Sequence, residues 1–259
     1  MKYLVEKLKK TYKERDFSIS LIKPVRFLMN KIRSKVLNFI LVKFKKNLMF
    51  KLRKFKTDNS EIVFDFAHDF CLHFIKPAQI KEEFVEFLKI FKKRNPKHIL
   101  EIGTMNGGTL FCFCKLASDN AKIISIDLPC GEFGGGYPIW KKLFYQSFIS
   151  KKQKLYLLRT NSHKQETLEK TKKILNNHKL DLIFIDGDHN YEGVKKDFEM
   201  YMPLVGKGGM VVFHDIVIHP FQCACEVNRF WKQIKNRFKH KEIIKNHNQK
   251  WAGIGILFI

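Results

Sequence analysis

The stretch that decides the fold of this chain is His98–Thr109, with the sequence HILEIGTMNGGT. An apolar run containing Glu101 ends at Ile102, a turn begins at Gly103, and a helical pattern follows from Gly107. A parallel strand that leads through a glycine turn to the start of a helix is an arrangement that binds nucleotide-like ligands. The sequence therefore predicts a cofactor site at this turn.

A second acidic residue supports the same interpretation. Asp127 closes the next apolar run, Lys122–Asp127 (KIISID). It lies about 20 residues beyond the glycine turn, where a carboxylate can accept hydrogen bonds from the ribose hydroxyls of an adenosine cofactor. The pattern predicts an enzyme with an adenosine-containing cofactor.

From about residue 58 onward, strand patterns alternate with helical patterns. The predicted strands are 98–102, 122–126, 154–158, 181–185, 209–213 and 254–259, and the predicted helices are 79–94, 107–118, 137–150, 163–178, 190–202 and 223–238. This alternation is typical of an α/β fold with a Rossmann-like, doubly wound, mostly parallel sheet. No helix follows the last strand, which we expect to be antiparallel. We assign residues 58–259 to this domain.

Residues 1–57 differ sharply in charge from the rest of the chain. They hold 18 Lys/Arg and 3 Asp/Glu, and so contribute +15 of the net charge of +24. Apolar residues recur among the basic ones at near-helical spacing, interrupted at Pro24. We predict a basic amphipathic helical extension that either lies on an anionic membrane surface or packs on the domain as a cap. Nucleic-acid binding is disfavoured, because no aromatic and glycine recognition pattern accompanies the charge.

The cysteines and the hydropathy pattern favour a cytoplasmic protein. The six cysteines include two C-x-C pairs, Cys112/Cys114 and Cys223/Cys225, which are too close for ordinary disulfides and do not have zinc-knuckle spacing. We expect thiols in a reducing compartment. No signal-peptide pattern is present. The apolar run Val36–Val42 is far shorter than the roughly 20 residues of a membrane span, so any membrane contact should be peripheral, at the inner face, through residues 1–57.

Acidic and histidine residues follow the fourth and fifth predicted strands. Asp186, Asp188 and His189 come after the fourth strand, and His214 and Asp215 come after the fifth. Carboxylates that converge at one sheet edge repel each other unless a cation lies between them. Oxygen-rich ligands with one imidazole suit Mg²⁺ or Mn²⁺. The alternative is that these acids cap the following helices, and Asp188 is the strongest candidate for such a cap.

Three stretches together resemble a known family. They are Asp127–Tyr137 (DLPCGEFGGGY), Phe184–Val194 (FIDGDHNYEGV) followed by Asp197, and Met202–Asp215 (MPLVGKGGMVVFHD). They resemble class I S-adenosylmethionine-dependent methyltransferases, and in particular the metal-dependent O-methyltransferases of macrolide sugars and the related cephalosporin-hydroxylase-like proteins. The resemblance covers roughly residues 78–259 and excludes the basic extension.

The resemblance implies roles for individual residues. The cofactor S-adenosylmethionine would be bound by Glu101, Gly103, Thr104, Gly107, Asp127, Asn161 and Ser162, of which Asp127 would hold the ribose and Asn161 and Ser162 would lie near the adenine. Asp186, His214 and Asp215 would be the ligands of the divalent metal. Asp186 and His189 would be catalytic, with His189 as the base. Met105 and His214 depart from the pattern, since these positions more often carry a glycine and an acid.

These observations predict a metal-assisted O-methyltransferase. Its acceptor would be a sugar, glycan or small-molecule hydroxyl, which could be carried on a lipid. We expect the loop Phe133–Tyr137 to close over the site or to be a simple surface turn. Two alternatives stay open: an NAD(P)-dependent oxidoreductase, and a non-catalytic membrane- or nucleic-acid-binding module on the same fold. The absence of a Tyr-x-x-x-Lys pair and the acidic cluster disfavour the oxidoreductase. The oligomeric state is not predicted.

Overall fold

A computed structural model describes residues 36, 39–131 and 136–259. The chain divides into two compact units, Met1–Leu48 and Met49–Ile259. In the first unit, the described residues are helical. The predicted helices before residue 36 and their interruption at Pro24 lie outside the described residues. The second unit contains the α/β fold and opens with a helical segment, residues 49–54, which we name α1.

The second unit is built around one seven-stranded sheet. Its strands are β1 (His98–Ile102), β2 (Lys122–Asp127), β3 (Lys154–Arg159), β4 (Leu180–Ile185), β5 (Val205–His214), β6 (Lys239–Ile243) and β7 (Ile254–Phe258). Its further helices are α2 (Ser60–Asp69), α3 (Lys81–Arg94), α4 (Gly108–Leu116), α5 (Lys142–Tyr145), α6 (Gln165–Leu175), α7 (Tyr191–Tyr201) and α8 (Val227–Ile234). The strand order is β3-β2-β1-β4-β5-β7-β6.

Strands β1 to β5 are parallel, and β7 pairs antiparallel with both β5 and β6. The doubly wound, mostly parallel sheet is confirmed, and so is the antiparallel last strand. Because the chain order reverses direction at β1, the neighbours β1 and β4 leave a crevice between the helices that follow them. This topology places the ends of β1, β2, β4 and β5 at one edge of the sheet.

Three elements differ from the sequence-based expectation. Helix α2 and strand β6 were not predicted, and β6 has no apolar alternation because four of its five residues are exposed at the sheet edge. The predicted helix 137–150 is reduced to the 3-10 turn Ile139–Lys141 and the short α5. The predicted helix 223–238 begins only at Val227, since Ala224 adopts a left-handed conformation with φ of 48°.

Aromatic side chains fill both faces of the sheet. On one face, Phe87 and Phe91 of α3 pack against Phe113 of α4 and Phe184 of β4, with ring centroids 5.0 to 6.2 Å apart. On the other face, Phe213 of β5 packs against residues of α7 and α8. Burial of large aromatic rings on both faces stabilises the sheet and so fixes the positions of the strand ends.

No helix within the described ranges combines the length and the apolar character needed to cross a bilayer.

Candidate cofactor and metal site

The turn after β1 depends on a glycine. Gly103 has a φ of 94°, and its N–H donates to the carbonyl oxygen of Ile126 at 2.9 Å. A Cβ atom at this position would lie 1.9 Å from the carbonyl oxygen of Asp186. Both the left-handed conformation and the close approach exclude any larger residue. The turn after β1 is therefore hydrogen-bonded to β2 on one side and packed closely against the loop after β4 on the other.

The end of β2 fixes the next part of this turn. Met105 has a φ of 46°, which is uncommon for a residue other than glycine, and its N–H donates to Asp127 Oδ2 at 2.9 Å. Burial raises the pKa of Asp127 to about 6, although the N–H groups of Met105 and Thr104 favour its charged form. The carboxylate thus supports the unusual backbone at the position where the methyltransferase pattern more often has a glycine.

Glu101 lies at the end of β1, underneath the turn. Its side chain is fully buried. The hydroxyls of Thr104 and Ser125, which lie beside it, are hydrogen-bonded to each other. Burial raises the pKa of Glu101 well above its ordinary value, which favours the neutral form of the carboxyl.

A cavity of about 900 Å³ opens at this edge of the sheet. Of the eleven residues given a catalytic, cofactor-binding or metal-binding role from the sequence, nine line it: Gly103, Thr104, Asp127, Asn161, Ser162, Asp186, His189, His214 and Asp215. Glu101 and Gly107 do not. Gly107 instead precedes α4 with a φ of 83° and faces the ring of Tyr145. The structure brings the strand-end residues together, and their individual cofactor roles stay predictions.

Asn161 and Ser162, the residues expected near the adenine, belong to the turn after β3. Asn161 Oδ1 accepts a hydrogen bond from the N–H of His163 at 2.7 Å. The Tyr201 hydroxyl donates to the carbonyl oxygen of Ser162 at 2.7 Å. These bonds fix the turn while both residues face the cavity.

The predicted metal ligands converge. His214 Nδ1 lies 3.1 Å from Asp186 Oδ1 and 3.3 Å from Asp215 Oδ2. One candidate ligand atom from each of the three residues lies within 4.8 Å of the others. His189 joins the group, with Nδ1 3.0 Å from Asp215 Oδ2 and Nε2 3.7 Å from Asp186 Oδ1. At these distances the negative charges of the carboxylates have to be balanced, either by protons on the imidazoles or by a bound cation.

Sequence reasoning missed three residues of this cluster. His219 Nε2 lies 3.1 Å from Asp215 Oδ1, and Cys225 is hydrogen-bonded to both His189 and His219. On the other side, Gln79 Nε2 donates to Asp186 Oδ2 at 2.7 Å. His219 and Cys225 follow β5 in irregular segments, and Gln79 precedes α3, so no strand-end pattern marks them. The repeated Cys-x-Cys spacing was the one signal at Cys225.

Charge balance within the cluster shifts the ionisation of its members. Burial lowers the pKa of His189 and of His219, but hydrogen bonds to Asp215 and Cys225 outweigh it and raise both pKa values to about 10. Burial raises the pKa of Cys225, and hydrogen bonds from His189 and His219 bring it down to about 7. Without another cation, the imidazoles therefore carry the positive charge that the carboxylates require.

The acids of this cluster do not cap the helix that follows β4. Asn190 is the N-cap of α7, and its Oδ1 accepts a hydrogen bond from the N–H of Gly193 at 2.7 Å. Asp188 Oδ1 instead accepts from Asn190 Nδ2 at 2.6 Å. The expectation that Asp188 is the cap is therefore wrong, because Asn190 occupies the cap position and the Asp188 carboxylate is used to hold Asn190. Residues 133–135 of the predicted closing loop Phe133–Tyr137 lie outside the described residues.

Residues 100–216, a little under half of the chain, match the family model described as a methyltransferase domain. Among curated proteins, an uncharacterised protein of Sinorhizobium fredii is 29% identical over 142 residues, which are 54% of this chain and 15% of that protein. An uncharacterised protein of Acanthamoeba polyphaga mimivirus is 53% identical over 36 residues, 14% of this chain and 16% of that protein. The chain thus spans only a small part of the length of these relatives.

Solved structures share the fold. The O-methyltransferase TomG of Streptomyces achromogenes, involved in tomaymycin synthesis and solved with S-adenosylmethionine, is 16% identical with a TM-score of 0.52, over 81% of this chain and 93% of that one. A putative caffeoyl-CoA O-methyltransferase of Staphylococcus aureus is 18% identical with a TM-score of 0.53, over 85% and 98%. An O-methyltransferase of Bacillus cereus solved with S-adenosylhomocysteine is 15% identical with a TM-score of 0.50, over 87% and 97%.

The glycine turn, the acid at the end of β2 and the strand order agree with the matched domain and with the shared fold. Residues 100–216 thus match a methyltransferase domain, and the chain shares its fold with O-methyltransferases that have been solved with S-adenosylmethionine or S-adenosylhomocysteine.

Proposed function

We propose that this protein is an O-methyltransferase that transfers the methyl group of S-adenosylmethionine to the hydroxyl of a sugar or another small molecule, with the help of a divalent cation. One observation carries the proposal: a single cavity is lined both by Asp127 and by the cluster of Asp186, His214 and Asp215. Its volume of about 900 Å³ is at the upper end of ligand cavities. There is therefore room for the cofactor and a small acceptor together.

The chemistry requires alignment and an activated nucleophile. The sulfonium methyl group is already reactive, so the cavity has to hold it in line with the acceptor oxygen. A hydroxyl is a weak nucleophile at neutral pH. Asp186, His214 and Asp215 would hold the divalent cation, which when bound lowers the pKa of a hydroxyl beside it. Two carboxylates and an imidazole within 4.8 Å fit such an ion.

We assign the proton-accepting step to His189. Its ring lies 3.0 Å from Asp215 and faces the cavity. A base must be neutral, whereas hydrogen bonds to Asp215 and Cys225 raise the pKa of His189 to about 10. The ring can therefore accept a proton only when another positive charge, such as a bound cation, balances the charge of Asp215, so that the imidazole is neutral before the reaction. This requirement links base function to the occupancy of the neighbouring cation site.

The acceptor class is supported by the names of proteins with the same fold. TomG is described as acting in tomaymycin synthesis, and the Staphylococcus aureus protein is named a putative caffeoyl-CoA O-methyltransferase. Both names point to small-molecule acceptors. A sugar or glycan, free or carried on a lipid, remains our specific proposal for this chain. The basic residues 1–57 would bring the domain to the anionic inner face of a membrane.

The proposal is tested in two steps. Calorimetry should show binding of S-adenosylhomocysteine and none of NAD or NADP. Transfer of labelled methyl groups to a panel of sugar and phenolic hydroxyls should then stop with EDTA and return with added divalent metal. Asp215→Asn should mimic the chelator while S-adenosylhomocysteine still binds. Binding of NAD instead would favour an oxidoreductase, binding of neither would favour a non-catalytic module, and full activity in EDTA would make the acidic cluster structural.

A further inference from the structure

Asp215 is the centre of the cluster after β5. Its Oδ2 faces His189 and His214, whereas its Oδ1 faces His219 Nε2 and the N–H of Ala252, both at 3.1 Å. The residue is buried and has a φ of 63°, a left-handed conformation that costs free energy in an aspartate. Such strain at a buried charged residue points to a functional requirement for the position of its carboxylate.

Cys225 belongs to this centre. Ligand atoms of His189, Asp215 and Cys225 all lie within 4.8 Å of one another, and all three residues line the cavity. The segment carrying Cys225 is tied to the segment carrying His189, because the N–H of Glu226 donates to the carbonyl oxygen of His189 at 2.7 Å. The thiol is thus held against the imidazole by the backbone as well as by side-chain contacts.

The donor atoms decide which cation fits this set. One nitrogen, one carboxylate oxygen and one sulfur are ligands that zinc accepts in tetrahedral sites, with one position left open in catalytic ones. Magnesium prefers oxygen ligands and octahedral geometry, and thiolate sulfur does not suit it. The expectation of Mg²⁺ or Mn²⁺ rested on an oxygen-rich set with a single imidazole. The residues that the fold adds are an imidazole and a thiol.

We propose that Asp215, His189 and Cys225 form a binding site for a thiophilic divalent transition metal such as Zn²⁺. His219 supports it by its hydrogen bonds to both Asp215 and Cys225, as histidines and carboxylates around metal ligands commonly do. The site shares Asp215 with the group formed by Asp186 and His214. The inference adds a second ligand set to the cavity of the proposed methyltransferase and in that sense rests on the proposed function. His189 would bind the metal through one ring nitrogen, so that only its other nitrogen would be left to accept a proton.

The test uses Co²⁺ as a spectroscopic substitute for Zn²⁺ in the full-length, reduced, metal-free protein. A cysteine ligand gives Co²⁺ a sulfur-to-metal charge-transfer band in the near ultraviolet, which nitrogen and oxygen ligands do not give. We expect this band to appear on titration, to be removed by Zn²⁺, and to be unchanged by a large excess of Mg²⁺. Cys225→Ser should abolish the band. Cys223→Ser, an exposed cysteine two residues away and outside the set, should retain it.

Two controls make the result unambiguous. The spectra are recorded in a Cys71→Ser background, because Cys71 lies in the chain between the end of α2 and His73, and His68, Asp69 and His73 form another group that could hold a metal. Calorimetry with S-adenosylhomocysteine is performed on each sample. An unchanged band in Cys225→Ser, no band in the parent protein, or displacement of Co²⁺ by Mg²⁺ would overturn the metal assignment. If the metal assignment fails in this way but S-adenosylhomocysteine still binds, the proposed methyltransferase function is unaffected. If the charge-transfer band appears but S-adenosylhomocysteine does not bind, the metal site is supported and the proposed methyltransferase function is not.

Discussion

The carboxylate of Asp127 accepts a hydrogen bond from the backbone N–H of Met105 at 2.9 Å, so the end of β2 holds the turn that follows β1. The proposed ribose acceptor therefore also supports the left-handed backbone of Met105. Its two oxygens allow both contacts at once, since a carboxylate accepts several hydrogen bonds. Loss of the Asp127 side chain should therefore weaken the cofactor site in two ways. It removes the contact with the ribose, and it removes the hydrogen bond that holds the turn after β1.

Asp127→Ala should weaken the binding of S-adenosylhomocysteine by about 2 kcal/mol or more, because hydrogen bonds to a charged acceptor are the strong kind. Isothermal titration calorimetry measures the change. The control is Asp119→Ala, which removes an exposed carboxylate from the turn before β2, at the opposite end of the strand. Equal affinity of wild type and Asp127→Ala would move the ribose site elsewhere.

Cofactor affinity should also depend on pH. Burial raises the pKa of Asp127 to about 6, and only the ionised carboxylate can accept from both ribose hydroxyls without donating. Affinity should therefore be full above pH 6 and decline as the pH falls through that value. Calorimetry between about pH 5 and about pH 8 measures this change in affinity, because that range covers both ionisation states of Asp127. In Asp127→Asn the same titration should be flat near pH 6, and a persisting decline would assign it to another group.

His189→Ala should reduce turnover by roughly 10²-fold or more with little change in affinity for S-adenosylhomocysteine, as expected for loss of a positioned base. The matched control is His178→Ala, an exposed histidine that stacks on His98 before β4, away from the cavity. Steady-state rates and melting temperatures are measured on the same preparations. If His189→Ala melts earlier but keeps its turnover per folded molecule, the residue is structural.

Glu101→Gln should remove a pH-dependent penalty on folding. Burial raises the pKa of Glu101 well above 4.5. A carboxyl with a raised pKa in the folded state favours folding below its unfolded pKa, and this contribution is lost as the pH rises through the folded pKa. Wild type should thus lose stability relative to Glu101→Gln as the pH rises above about 4.5, which chemical denaturation at several pH values detects. A constant difference between the two proteins would show that the carboxyl stays in one ionisation state.

The basic extension should bind anionic membranes. Each Lys or Arg near such a surface contributes about 1 kcal/mol, so sedimentation with phosphatidylglycerol vesicles should be strong at low salt and weak at high salt. Neutral vesicles should not bind. Deletion of residues 1–48 should abolish binding, and equal, negligible binding of the full chain to both vesicle types would leave the extension as a packing cap.

The place of the truncation matters for the same experiment. Leu52 in α1 is fully buried, and the ring of Phe55 lies 3.9 Å from that of Phe66. A fragment of residues 49–259 should therefore keep the melting temperature of the domain, whereas a fragment of residues 58–259 should melt earlier because it loses the buried side chain of Leu52 and the ring stacking of Phe55. Equal melting temperatures of the two fragments would show that residues 49–57 add nothing to the fold.

The sequence by itself determined six of the seven strands and the place of the cofactor turn. Hydrophobic period and glycine turns are local properties, so the stretch around Gly103 and the acid at Asp127 were readable without a structure. Parallel strands end at one edge of a sheet, which made the meeting of Asp186, His214 and Asp215 predictable from their positions after strands. Strand β6 was not readable, because its exposed polar residues follow no period.

Only the tertiary structure decided which further side chains enter the site and in what environment. Gln79, His219 and Cys225 come from irregular segments, and their approach to Asp186 and Asp215 depends on long-range packing that leaves no local pattern. The burial of Glu101 beneath the turn likewise depends on the sheet as a whole. The type of metal donor, the charge of each histidine and the pKa of Asp127 follow from those surroundings, because burial and neighbouring charges set ionisation.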